Sequence, residues 1–335
     1  MTKNMNESNK TVKNLAADRK KEAFLPILLA TVCMSVALLA VIIDKFVYRF
    51  GGELLSPLLS QVIILLIPMY LCMLMIYPGK SPVYQLSQIG MARLRAEYIF
   101  FMIFTSLFLI TTSLMLNIVF GGVYPISDGF TLLGTFTAGV GEYTVSYPYL
   151  IIVYALLPAI VEELLFRGLI YSLLQRVSES AAICISSLIS ATFAFSIGGF
   201  PAALFCALSY CFIRHTTRSL QACMIVHFVF NLYAIFAQTN LAKYFVSSQN
   251  LFLLVIVAIT VWLICSALFF SESARVYRHK AERIKNGEEE SELKKPDLKG
   301  ILQELKAILS YRPTLVSAII LLTAFVAITI IGYFA

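Results

Sequence analysis

Long apolar runs separated by short polar stretches set the pattern of this chain. A hydrocarbon core about 30 Å thick is crossed by roughly 20 apolar residues of helix. Runs of that kind fall at 24–43, 54–76, 98–120, 148–171, 181–197, 199–213, 219–238, 251–270 and 314–334. The pattern predicts an all-α, polytopic membrane helix bundle of about nine transmembrane helices. The fifth and sixth runs are short and meet at Gly198, Gly199 and Phe200. They predict a tight helical hairpin or a partly re-entrant segment.

Basic residues orient the bundle, because Lys and Arg collect on the cytosolic side. With a cytosolic N-terminus, the inner segments are 1–23, 77–97, 164–180, 214–218 and 271–313, and they hold 23 of the 26 basic residues. Only Lys45, Arg49 and Lys243 fall outside. Merging the fifth and sixth runs would put the most basic loop outside, so charge favours nine spans. The first run follows a basic head, but it is longer than a signal-peptide core and no small-residue cleavage site precedes Asp44. It is expected to be an anchor.

The organisation that follows has four parts. Residues 1–23 form a basic cytosolic segment and 24–147 the N-terminal transmembrane helices. The polar residues inside the membrane fall in a core at 148–238, and 239–335 holds C-terminal helices around a cytosolic loop at 271–313. Within that loop Ile301, Leu302, Leu305, Ile308 and Leu309 share one helical face, with Gln303, Glu304 and Lys306 opposite. An amphipathic helix is expected there, on the inner leaflet or docked to a partner.

Composition agrees with bilayer as the solvent. Apolar residues make up 59% of the chain and charged ones 13%, about half the charge of a soluble domain. The formal charge of +7 is read as basic loops facing anionic lipid at the cytosolic face, with no nucleic-acid partner. The seven cysteines lie in apolar stretches without a CxxC pair, which marks them as packing residues.

Candidate chemistry lies in the few polar groups inside the spans, where each charge costs roughly 2.5–3.5 kcal/mol at the bilayer centre. The fourth run carries Glu162, Glu163 and Arg167. Glu163 and Arg167 are one turn apart on one face and neutralise each other. Glu162 is about 100° around the helix and lacks a local partner, as a general base for water activation would. The seventh run carries His227 and Asn231, also one turn apart and aimed at one neighbour. Alone, this pair would read as interhelical hydrogen-bonding glue. At 1.5 Å per residue, Glu162 lies about 14 Å and His227 about 12 Å from the cytosolic ends of their spans. The shared depth favours a site. His215 and His279 fall in basic loops and are expected to be solvated.

Glu162-Glu163-x-x-x-Arg167 followed by His227-x-x-x-Asn231 resembles the first and last signatures of the CAAX-protease and bacteriocin-processing (CPBP, or ABI) family of intramembrane metalloproteases. The flanking Phe166-Arg167-Gly168 and Arg218-Ser219-Leu220 fit as well. The resemblance covers about 148–238. It implies an endopeptidase of a bacterial plasma membrane that cleaves a membrane-embedded protein or peptide near the cytosolic face. In that scheme Glu162 activates water, Glu163 and Arg167 brace the helix, and His227 and Asn231 bind a metal or polarise the scissile carbonyl. The metal would be a divalent ion, zinc by expectation, held by His227 and Glu162. The family's middle signature, Phe-x-x-x-His, reads Phe193 to Ile197 here, and no histidine lies between 168 and 214. Ser196 is a weak substitute ligand, and catalytic zinc usually has three protein ligands. The alternative is a catalytically inactive relative acting as a membrane scaffold, immunity factor or signalling regulator. A transporter is disfavoured, because the polar residues share one depth and no paired broken-helix repeat appears.

Overall fold

The computed structural model describes residues 21–91, 94–120, 147–195, 197, 199–236, 251–287 and 298–334. Among these the secondary structure is entirely helical. The first two apolar runs lie in α1 (Phe24–Ser60), a π-helical segment (Gln61–Leu66) and α2 (Ile67–Ile76). Cys33 and Met34 share one buried cluster with Leu65, Met69 and Cys72, so the two arms pack side by side. Residues 44–53, expected as an outer loop, are helical. A short α3 (Pro82–Gln88) leads to α4 (Ile99–Phe120).

The polar core begins with a run from Tyr147 to Gln175 built as α5 (Tyr147–Leu150), a π segment (Ile151–Leu156), α6 (Leu157–Glu163), a second π segment (Leu164–Ile170) and α7 (Tyr171–Gln175). It is followed by α8 (Glu179–Thr192), α9 (Phe200–Thr217) and α10 (Leu220–Phe236). The fifth apolar run ends earlier than expected, at Thr192, where Phe193 and Ala194 form a turn and Phe195 takes a positive φ of 51°. α9 extends four residues past the expected end of its run.

Two flanking pairs enclose this core. On one side α13 (Arg312–Phe334) packs on α1, with the Thr31 hydroxyl donating to the Ser317 carbonyl at 2.9 Å. On the other, α11 (Leu251–Lys285) packs on α4 through stacked Phe108 and Phe269, 4.5 Å apart, and a Trp262–Thr112 hydrogen bond of 3.0 Å. α11 continues 15 residues beyond its apolar run, and Arg283 at its far end grips the Glu97 carboxylate with two bonds. The 271–313 segment is therefore largely helical. Its amphipathic part is α12 (Leu298–Leu309), which buries Ile308 against the bundle and bonds Glu304 to Ser178 at 2.5 Å. Residues 288–297 lie outside the described residues, as do 1–20 of the basic head.

Among the described residues, four stretches are long and apolar enough to cross a membrane: Ala96–Leu116, Tyr147–Gln175, Val255–Lys285 and Arg312–Ile331. Shorter apolar helices cover Phe24–Ala40, Gln61–Ile76, Glu179–Thr192 and Leu220–Phe236. Large apolar side chains such as Met75, Phe100, Leu253, Leu263 and Phe270 stay exposed on the bundle's exterior. That surface suits hydrocarbon rather than water. The chain is an integral membrane protein of the helical-bundle class.

Candidate active site

The site grows out of the irregular run 147–175. A π turn loosens the i to i−4 ladder and leaves backbone carbonyls in need of partners. Side chains from three other helices supply them. The Asn231 amide of α10 donates to the Ala155 carbonyl at 3.3 Å, and the Ser186 hydroxyl of α8 donates to that of Phe166 at 2.9 Å. Arg214 of α9 donates through Nε to Arg167 at 3.3 Å and through Nη2 to Ile89, also at 3.3 Å. Pro158, near the start of α6, removes a further backbone donor between the two π segments.

Glycine appears where these approaches are tightest. A Cβ on Gly90 would stand 1.8 Å from Nη2 of Arg214, and its φ of +85° already disfavours a side chain. A Cβ on Gly168 would meet Ile89 at 3.2 Å and Leu220 at 3.3 Å. The Gly90 carbonyl in turn accepts from the Leu220 backbone at 3.0 Å, tying the loop after α3 to the start of the histidine helix.

Inside this frame Glu163 and Arg167 form the expected pair, with Nη1 to Oε1 at 3.2 Å and both side chains almost fully buried. Arg167 also donates to Ser190 Oγ at 3.1 Å and to the Ala207 carbonyl at 3.2 Å, and its guanidinium faces the Tyr210 ring at 5.2 Å. The structure adds a contact that spacing did not anticipate. His227 Nδ1 lies 2.8 Å from the same Oε1 of Glu163. His227 is thus anchored to Glu163, the partner of Arg167, rather than to Glu162.

Glu162 faces a small cavity of about 30 Å³, room for a water molecule or two. Its walls include Glu162, His227, Arg167, Ser190, Tyr210 and Cys206. Gln61, from the first π segment, lies beside the Glu162 carboxylate, and Glu162 Oε1 is buried without a partner. The equal depth of Glu162 and His227 therefore corresponds to one shared pocket. Asn231 does not line it. It points at the same helical run as His227, as its spacing required, but its amide is held by Ala155.

Sequence reasoning missed Gln61, Tyr210, Ser190 and Arg214. Gln61 and Arg214 carried a signal, since each is a polar residue in or beside an apolar run and each is buried. Ile197, at the position of the missing histidine, is 59% exposed and does not line the cavity. Ser196 lies outside the described residues. His215, expected to be solvated, is partly buried with Nδ1 2.7 Å from Glu179, whereas His279 is exposed. All seven cysteines are free.

The donor set does not fit a three-ligand metal centre. Among the described residues no three His, Cys, Asp or Glu side chains group to hold an ion. One imidazole nitrogen of His227 is already committed to Glu163 and Nδ2 of Asn231 to the backbone, while Asn231 lies outside the cavity lining with its Oδ1 unpartnered. What the arrangement offers is a carboxylate with a free oxygen, an imidazole of fixed orientation and space for water.

No curated protein and no solved structure matches the chain. Residues 144–233 match the family described as type II CAAX prenyl endopeptidase Rce1-like. This matched stretch holds Glu162, Glu163, Arg167, His227 and Asn231, and it supplies every wall of the cavity named above. Over residues 144–233 the chain is similar to this family of CAAX-type endopeptidases, a match that supports the CPBP resemblance of its motifs.

Proposed function

We propose that this protein is an intramembrane endopeptidase that hydrolyses a peptide bond of a membrane protein or peptide near the cytosolic face of a bacterial plasma membrane. The observation that carries this reading is Glu162, a buried carboxylate with a partnerless Oε1 that lines a water-sized cavity together with His227. A buried carboxylate with a free oxygen is costly unless it is used.

In this scheme Glu162 takes a proton from a water in the cavity, and the water oxygen attacks the scissile carbonyl. The tetrahedral intermediate collapses, and the proton passes from Glu162 to the leaving amine. Glu163 and Arg167 hold His227 in one orientation. With Nδ1–H donated to the carboxylate, Nε2 is left as the acceptor nitrogen that orients the water. Asn231 keeps the two helices in register through Ala155. No step is routed through a metal, because the residues present do not form a metal centre.

A second reading, a non-cleaving relative that holds a membrane partner, is favoured by the absent middle histidine alone. Purified protein in liposomes, incubated with quenched transmembrane peptides, separates the two. Cleavage by the wild type, lost by a factor of about 10²–10⁴ in Glu162→Gln, supports the protease. Peptide binding without cleavage by the wild type, unchanged in the variant, supports the scaffold.

A further inference from the structure

We infer that Tyr210 is a further catalytic residue, its hydroxyl donating a hydrogen bond to the oxygen of the scissile carbonyl. The inference rests on the protease reading above and supplies what that reading lacks. Hydrolysis of a peptide bond develops negative charge on the carbonyl oxygen, and that charge needs donors inside a dry site. Glu162 is an acceptor, and the free nitrogen of His227 is an acceptor as well while the ring is neutral. The usual second imidazole is missing, because Ile197 stands in its place and is turned out of the site.

Tyr210 answers this need. It is 3% exposed and lines the cavity together with Glu162 and His227. Its hydroxyl is buried and has no hydrogen-bonding partner. Its orientation is fixed twice over: the ring stacks on the His227 imidazole, centroids 4.8 Å apart and 20° from parallel, and lies beneath Arg167. A buried phenol this constrained cannot swing to find a partner elsewhere, so its hydrogen bond stays open beside the cavity that its side chain lines.

Arg167 also lines the cavity, but its terminal nitrogens are tied to Glu163, Ser190 and Ala207. Only Nε is unpartnered, and it is the guanidinium nitrogen nearest Arg167's own helix. The phenol donates its proton to the hydrogen bond without losing it. On collapse of the intermediate the oxygen becomes the product carboxylate and the hydrogen bond weakens. No additional reactant is required.

The test is Tyr210→Phe, which keeps the stacking ring and removes only the hydroxyl. Wild type and variant are compared on one cleavable transmembrane peptide in liposomes, with kcat and KM measured separately and peptide binding followed by fluorescence anisotropy. The expected result is a kcat lower by about 10²–10³, the range for loss of one oxyanion donor, with KM, peptide affinity and melting temperature unchanged. A Tyr210→Phe enzyme with wild-type kcat, where Glu162→Gln is inactive, overturns the role of Tyr210 and leaves the protease standing. Equal losses in kcat and melting temperature also overturn it, because they mark a packing role. Absence of cleavage by the wild type removes the protease reading and this inference with it.

Discussion

Replacing Glu163 by glutamine keeps the side chain's volume and removes its charge from the most enclosed ion pair described here. One oxygen, Oε1, accepts from Arg167 at 3.2 Å and from His227 at 2.8 Å. Hydrogen bonds to charged groups each contribute roughly 1.5–3 kcal/mol. After the change Arg167, 1% exposed, faces only neutral acceptors, Ser190, the Ala207 carbonyl and the new amide oxygen. Stranding one charge of a buried pair costs about 3–5 kcal/mol. The neighbouring Glu162→Gln makes the same chemical change with the opposite expectation. Glu162 is a buried carboxylate with an unpartnered oxygen, so losing its charge relieves a desolvation cost and leaves stability within about 1 kcal/mol of wild type or above it. Equilibrium unfolding in mixed micelles, followed by helical circular dichroism as the denaturing detergent fraction rises, measures both variants. Glu163→Gln should unfold at a clearly lower fraction, and Glu162→Gln should not. If the two variants lose the same stability, or Glu162→Gln loses more, the assignment of one carboxylate to the brace and the other to the cavity is refuted.

Four further outcomes follow from the same geometry. Gly90→Ala forces a left-handed backbone on a β-carbon and pushes the Arg214 guanidinium from its seat, so the melting temperature should drop. The drop should shrink when Arg214→Ala is combined with it, a coupling that a double-mutant cycle reads directly. Ile197→His should neither raise cleavage nor bring stoichiometric zinc into purified protein, because position 197 points away from the cavity; elemental analysis and the peptide assay check both. Cleavage by wild type should likewise survive a strong chelator. Glu304→Ala removes the hydrogen bond from α12 to Ser178, and amide exchange in 298–309 should speed several-fold while exchange in α10 stays unchanged.

Much of this protein is legible from residue type and period alone. Runs of membrane-spanning length required helices wherever they occurred, because backbone groups in hydrocarbon must pair within their own segment. A helical period placed Arg167 over Glu163 and His227 beside Asn231. Burial cost singled out Glu162, and the motif spacing resembled the family whose description matches residues 144–233. These properties depend on short-range order, which one stretch of chain carries by itself.

The remaining features required the tertiary structure, because they join residues far apart in sequence. His227 could as well have met Glu162 as Glu163, since both lie at one depth and differ only in azimuth. The choice was made by the π segment after Glu163 and by the rotation of α10 against it. The same packing gave Asn231 to a backbone carbonyl rather than to the cavity. It also brought Gln61 from the first helical hairpin to Glu162 and laid the Tyr210 ring on His227. Residue type carries no record of azimuth or of which residue of another helix a side chain meets, and side-chain packing between helices supplied both.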